Sequence, residues 1–223
     1  MTEPLIIAID GPAGSGKSTV AKRIAAALGI AYLDTGAIYR AIALALSQAG
    51  IPPVEKDELR KALAGLSVEI TPGGLKVNGR EAGIEIRSPF ADSIVSPYAA
   101  LPSVREALLT VQREQGERTS LVADGRDMGT VVFPGAAVKI FLTASDRVRA
   151  ERRHLELQAR GDASTFGEVL ERIRERDRID STRATAPLRM ADDAVEVDTD
   201  GLSIDEVERA VLVHIAKKLQ DKG

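Results

Sequence analysis

Eight residues near the start of the chain constrain it more than any other feature: Gly11-Pro12-Ala13-Gly14-Ser15-Gly16-Lys17-Ser18. They fit the pattern Gly-x-x-x-x-Gly-Lys-Ser/Thr completely. The context is also right, because an apolar run at 5–10 precedes them and a helix-like stretch at 17–28 follows. Glycines let the backbone wrap closely around phosphate oxygens, and a helix N-terminus adds partial positive charge. Such a loop implies a nucleoside triphosphate, with Lys17 bridging its β- and γ-phosphates and Ser18 ligating Mg²⁺. It does not separate phosphoryl transferases from GTPases, motor ATPases or regulatory modules. No Asn-Lys pair occurs, so the guanine-reading Asn-Lys-x-Asp motif is absent.

The rest of the chain fits an α/β rhythm. Residues 5–10, 31–34, 120–124, 138–142 and 194–197 read as short buried strands. Helical patterns cover 17–28, 35–50, 103–115, 145–159, 165–183 and 203–219. Gly29 ends the first, Thr35 reads as the N-cap of the second, and Thr165 with Glu168 and Ser203 with Glu206 read as caps of the last two. Pro52 and Pro53 mark a break in texture. A short helix at 55–63, strands at 67–71 and 75–77, a Pro72-Gly73-Gly74 turn and an Asn78-Gly79 hairpin turn predict a small β-rich insert. The prediction is a mostly parallel sheet covered by helices on both faces.

Composition excludes several classes. With no cysteine, neither a disulfide framework nor a thiolate metal site is possible, and His154 and His214 make no zinc pattern. A formal net charge of −3 argues against a protein that coats nucleic acid. No apolar run approaches the roughly 20 residues needed to cross a bilayer, and the opening residues do not resemble a signal peptide. A cytoplasmic location is expected. Between Asp146 and Arg183 there are ten arginines and no lysine. Two readings fit: solvated helices laced with ion pairs such as Glu168–Arg172, or a phosphate-binding surface built from guanidinium forks.

Three segments place polar groups where open α/β sheets bind ligands, beyond the carboxyl ends of the strands. Asp34-Thr35-Gly36-Ala37-Ile38-Tyr39-Arg40 offers Arg40 to a phosphate and Tyr39 to a ring, or is simply a capped amphipathic helix. Asp124-Gly125-Arg126-Asp127-Met128-Gly129-Thr130 follows a strand, and Asp124 is placed like a carboxylate that holds Mg²⁺ directly or through water. On the helix from Thr165, one face reads Phe166, Val169, Leu170, Ile173 and then Arg176, Asp177, Asp180, Arg183. A core-packing face that turns charged either meets a charged ligand or emerges into solvent.

GPAGSGKS, LDTGAIYR, ADGRDMGTVVFP and RDRIDSTRATAPL resemble, in order and spacing, motifs of the bacterial cytidylate kinases of the nucleoside monophosphate kinase superfamily. The resemblance covers nearly the whole chain, and DGRDMGTVVFP is its most specific part. It implies a P-loop three-layer fold with a five-stranded parallel sheet, a β-rich monophosphate-binding insert and a helical lid. The expected division is a core of 1–50, 101–145 and 166–223, a monophosphate-binding domain at 51–100 and a lid at 146–165. The implied reaction moves phosphoryl from ATP to CMP or dCMP. By this similarity Ser96, Arg105 and Asp127 read the cytosine edge, and Arg40 and Arg126 hold the acceptor phosphate. Asp180 meets ribose with Arg176 nearby, Arg183 acts near the phosphates, and Tyr39 lines the pocket. Thr35 stands where the family often has serine. Ser18-Thr19 stands where some members have Gly-Thr, which leaves open which hydroxyl meets the metal.

Residues 147–160 then read as lid, with Arg149, Arg152, Arg153 and Arg160 available to the ATP phosphates and Arg149 with Arg153 as one candidate face. Lys17, Arg126 and Arg183 are the candidate catalytic residues, and a monomer is expected. The rivals are a related kinase for UMP, AMP or shikimate, a nucleotide switch, and a catalytically silent P-loop protein.

Overall fold

The computed structural model describes residues 3–71 and 74–220. Five strands form one parallel sheet: β1 (Ile6–Asp10), β2 (Ala31–Asp34), β6 (Leu121–Gly125), β7 (Val138–Thr143) and β8 (Val195–Asp198), in the order β2-β6-β1-β7-β8. Alternation along β1 explains the layers. Ile7 and Ile9 face α1 (Lys17–Leu28) and α8 (Ile204–Gln220), meeting Val20, Ile24, Val207 and Val211. Ala8 points the other way, toward Ile38, Ile42, Val104 and Leu108 of α2 (Thr35–Gln48) and α5 (Pro102–Arg118). Helices thus cover both faces of a sheet whose inner strands are almost wholly buried.

The segment between α2 and α5 holds α3 (Asp57–Ala64) and a three-stranded antiparallel sheet of β3 (Val68–Thr71), β4 (Gly74–Val77) and β5 (Arg80–Glu81). Val77 pairs with Arg80 across Asn78 and Gly79, whose φ values of 52° and 73° define the mirror-image turn that a two-residue hairpin needs. The expected turn at residues 72–74 falls partly on 72 and 73, which lie outside the described residues.

A helix, α4 (Pro89–Ala99), follows where the sequence texture suggested only insert. Pro89 occupies its first turn, where a missing N–H costs nothing, and the Ser88 side chain accepts from Ala91 N at 3.1 Å. Between β7 and β8 the chain forms a helical hairpin of α6 (Asp146–Gln158) and α7 (Phe166–Thr182). Its own apolar contact is small: Ala150, Leu157, Val169 and Ile173. Thr165 and Glu168 form the expected capping box of α7.

Candidate active site

The carboxyl ends of β1, β2 and β6 lie side by side, with Asp34 and Ile9 both in register with Asp124, so their following loops open on one cleft. The loop after β1 wraps over the start of α1. Gly11 has φ 150°, and a Cβ there would stand 2.0 Å from the Leu142 carbonyl oxygen, so only glycine fits. α1 begins with no side-chain cap and no acidic residue in its first turn. Its free amides and dipole therefore face the loop uncompensated. Ser15 Oγ is buried without a partner. Lys17 is buried too and donates to the Pro12 carbonyl at 2.9 Å. Burial and the nearby Arg126 push its ammonium well below the usual lysine range.

Ser18 Oγ donates to Asp124 Oδ2 at 2.5 Å, and the Tyr32 hydroxyl donates to Asp124 Oδ1 at 2.9 Å. Burial and Asp34 raise the Asp124 carboxyl above its ordinary value. Thr19 is exposed. The cap of α2 differs from expectation by one residue. Asp34 accepts from Ala37 N at 2.8 Å and is the N-cap. The Thr35 hydroxyl turns inward and donates to the Asp124 carbonyl at 2.6 Å, tying β2 to β6.

Residues 126–129 are held from beneath by Asp10, which accepts from Met128 N at 2.8 Å and Gly129 N at 2.7 Å. Burial outweighs these two bonds and raises the Asp10 carboxyl to about 6. A carboxyl raised on folding favours the neutral form in the native state. Its contribution is complete below about pH 4 and is lost as pH rises through 6. The parent protein should therefore lose on the order of 2–3 kcal/mol of unfolding free energy from pH 4 to 7, relative to Asp10→Asn. Urea unfolding of both chains across that range measures it, and parallel pH curves would contradict the assignment.

Above this support sits a buried charged layer. Asp127 is paired with Arg105, and Arg183 approaches its other oxygen at 3.5 Å. The Arg105 guanidinium lies over the buried Tyr39 ring at 5.2 Å and also donates to the Ala99 carbonyl. Arg126 Nε donates to Asp180 Oδ2 at 2.8 Å. Burial would raise Asp180, but Arg126 and Arg176 outweigh it and hold the carboxyl low. Burial and Arg126 push the Arg176 guanidinium down to about 10. The charged half of the α7 face thus turns inward: Asp180 and Arg183 are only 4% and 8% exposed, and Arg176 and Asp177 are partly buried. It does not emerge into solvent. Arg176 Nε and one Arg183 terminal nitrogen are buried with no hydrogen-bond partner. Buried donors left open in this way suit an absent anionic or carbonyl-bearing ligand. Ser96 is buried on α4, the helix whose Ala99 carbonyl accepts from Arg105.

The α6 arginines divide. Arg149 is buried against the phosphate loop, donating to the Ala13 and Ala144 carbonyls and to both oxygens of Asp177. Arg152 donates to the hydroxyl and carbonyl of Thr199, and Arg160 donates to the Arg87 carbonyl at 3.3 Å. Arg153 pairs with Glu156 and with Asp92. Arg40 meets the same Asp92 at 3.0 Å. Sequence reasoning misses Asp92 because it misses the helix that carries it. The Ser88-Pro89 pair, a cap followed by a first-turn proline, is the available signal.

Among the described residues no cluster of three or more His, Cys, Asp or Glu could hold a metal by itself, and no helix is long and apolar enough to cross a membrane. A solved structure of a protein from Eubacterium ventriosum shares the fold, at a TM-score of 0.52 and 14% identity over 96% of this chain and 98% of its own. A cytidylate kinase of Fervidobacterium nodosum is 48% identical over 216 residues, 97% of this chain and 98% of that one. Those of Thermosipho melanesiensis and Solibacter usitatus are 49% and 45% identical over 96% and 93% of this chain and 98% and 90% of their own. The family model described as cytidylate kinase matches residues 7–217, and with relatives this similar along nearly its whole length the chain belongs to the cytidylate kinase family.

Proposed function

We propose that this chain transfers the γ-phosphoryl group of ATP to CMP or dCMP, giving ADP and CDP or dCDP. The observation that carries the reading is the buried layer of Arg126–Asp180 and Asp127–Arg105–Arg183 beyond the carboxyl end of β6, the strand whose Asp124 is bonded to Ser18 of the phosphate loop. The phosphate loop supplies the donor site and the arginine layer supplies an anionic acceptor site. Asp127 with Arg105, together with Ser96 of α4, offers the mixed acceptor and donor set that a cytosine edge requires.

The attacking oxygen of the acceptor phosphate is already anionic, so no general base is needed. Catalysis consists of in-line positioning and charge neutralisation. Lys17, Arg126 and Arg183 stabilise the charge on the transferring group, Arg40 and Arg126 hold the acceptor phosphate, and Arg176 stands close by. Asp180 fixes Arg126 and faces the ribose, and Tyr39 closes the pocket wall beneath Arg105. Residues 51–100 act as the acceptor-binding domain and 146–165 as a lid that excludes water, with Arg149 and Arg153 nearest the phosphates.

Ser18 and Asp124 fit Mg²⁺: both offer hard oxygen donors, and Asp124 is a buried carboxylate beside a second one, Asp34, where a dication would be welcome. Ser18 and Asp124 would hold Mg²⁺ directly or through water, and the ion would supply charge neutralisation for the donor phosphates. The exposed Thr19 makes Ser18 the better ligand.

Steady-state phosphorylation of CMP, dCMP, UMP and AMP with Mg-ATP tests the reading. The cytidine nucleotides are expected to exceed the other acceptors in kcat/KM by at least about two orders of magnitude, the discrimination a buried polar edge supplies. A preference for AMP would overturn it.

A further inference from the structure

Asp92 is one carboxylate facing three guanidiniums. Arg40 of α2 meets Oδ1 at 3.0 Å, Arg176 of α7 lies 3.9 Å from the same oxygen, and Arg153 of α6 pairs with Oδ2. These arginines come from three separate elements, and the Asp92 side chain is only 20% exposed. The other carboxylates of the cleft are engaged elsewhere: Asp127 by Arg105 and Arg183, Asp180 by Arg126, Asp34 by Arg87. Glu156 also pairs with Arg153, at 2.8 Å, so an excess of one positive charge remains around Asp92, and once Asp92 is displaced two remain, the complement of a phosphomonoester dianion. The unpartnered Arg176 Nε leaves a donor open at the same place.

We propose that Asp92 is a built-in occupant of the acceptor-phosphate site. In the ligand-free protein its carboxylate gathers Arg40, Arg153 and Arg176 and offsets their mutual repulsion. An arriving phosphate competes for the same donors, with twice the charge and three oxygens, and displaces it. The displacement has a second effect. The Arg153–Asp92 pair ties α6 to α4 across the cleft, so acceptor binding frees Arg153 from α4 and leaves it available to the donor phosphates. Asp92 is thus a positioning residue that sets acceptor affinity and links it to the hairpin. The inference rests on the acceptor being a nucleoside monophosphate, as proposed above.

The test compares the parent with Asp92→Asn, which keeps the shape and removes the charge. KM for CMP should fall about tenfold while kcat changes by less than about threefold, because a like charge beside the bound phosphate has gone. The inhibition constant of inorganic phosphate, competing against CMP, should fall with it. A KM unchanged or raised would overturn the proposal, and a raised KM would identify Asp92 as mere support for the arginines. Should Asp92→Asn fold poorly by thermal unfolding, Asp92→Ser carries the same expectation. Calorimetric titration of the nucleotide-free parent and variant with inorganic phosphate decides between the two roles without turnover: tighter binding by the variant supports the occupant role, equal or weaker binding refutes it. Absence of CMP phosphorylation by the parent would instead overturn the proposed function, and the phosphate titration alone would then decide the role of Asp92.

Discussion

Replacing Lys17 with methionine should lower kcat/KM for CMP phosphorylation by about three orders of magnitude, roughly 4 kcal/mol in the barrier, with the folded protein at least as stable as before. The two halves of this expectation come from one observation. Lys17 is a buried ammonium whose only side-chain bond among the described residues is to the Pro12 carbonyl. Burial and Arg126 both disfavour its charge. Such a group costs stability until an anion arrives, and methionine keeps the stem while removing the charge. A variant that retained turnover within tenfold would show that the phosphoryl group is neutralised elsewhere. A variant that lost several kcal/mol of stability would show that Lys17 belongs to the scaffold. Steady-state kinetics and urea unfolding of the same preparation separate these outcomes.

The sheet was legible because its strands are short apolar runs bounded by glycine or charge, and the α7 face because a 3.6-residue period survives its change from Ile173 to Arg176. The phosphate loop was legible for a different reason, since its glycines answer steric demands such as the Leu142 carbonyl at Gly11. Propensity failed at α4, where Pro89, Ser93, Ser96 and Pro97 fall within eleven residues. Tertiary packing decides that segment: Ala91, Val95, Tyr98 and Ala99 are buried against neighbouring elements. The cap of α2 slipped by one residue because Asp34 and Thr35 are both good caps, and only the distant Asp124 carbonyl selects between them. The partition of the α6 arginines was beyond reach for a similar reason. Arg149, Arg152 and Arg153 lie within five residues, yet their partners are Asp177, Thr199 and Asp92.

Asp127→Ala should destabilise the fold by about 3–5 kcal/mol, because it strips a buried carboxylate from between two buried guanidiniums. Arg105 and Arg183 have side chains 6% and 3% exposed. Arg105 would retain the Ala99 carbonyl and the Tyr39 ring, and Arg183 would retain the Ala186 carbonyl at 2.7 Å, but neither would keep a close counter-charge except the more distant Asp180. Asp127→Asn, which keeps an acceptor, should cost less than Asp127→Ala. The measurement is the urea midpoint at constant slope. A loss below about 1 kcal/mol, the range of an exposed pair, would mean that the cluster is solvated in solution. Fold and function then come apart in a double variant. Arg105→Met with Asp127→Leu removes both charges and refills the space with apolar atoms, which should restore part of the lost stability. CMP phosphorylation should not return with it. If activity followed stability back, the buried pair would be scaffold alone, and the recognition of the acceptor base would have to lie with other residues of the cleft.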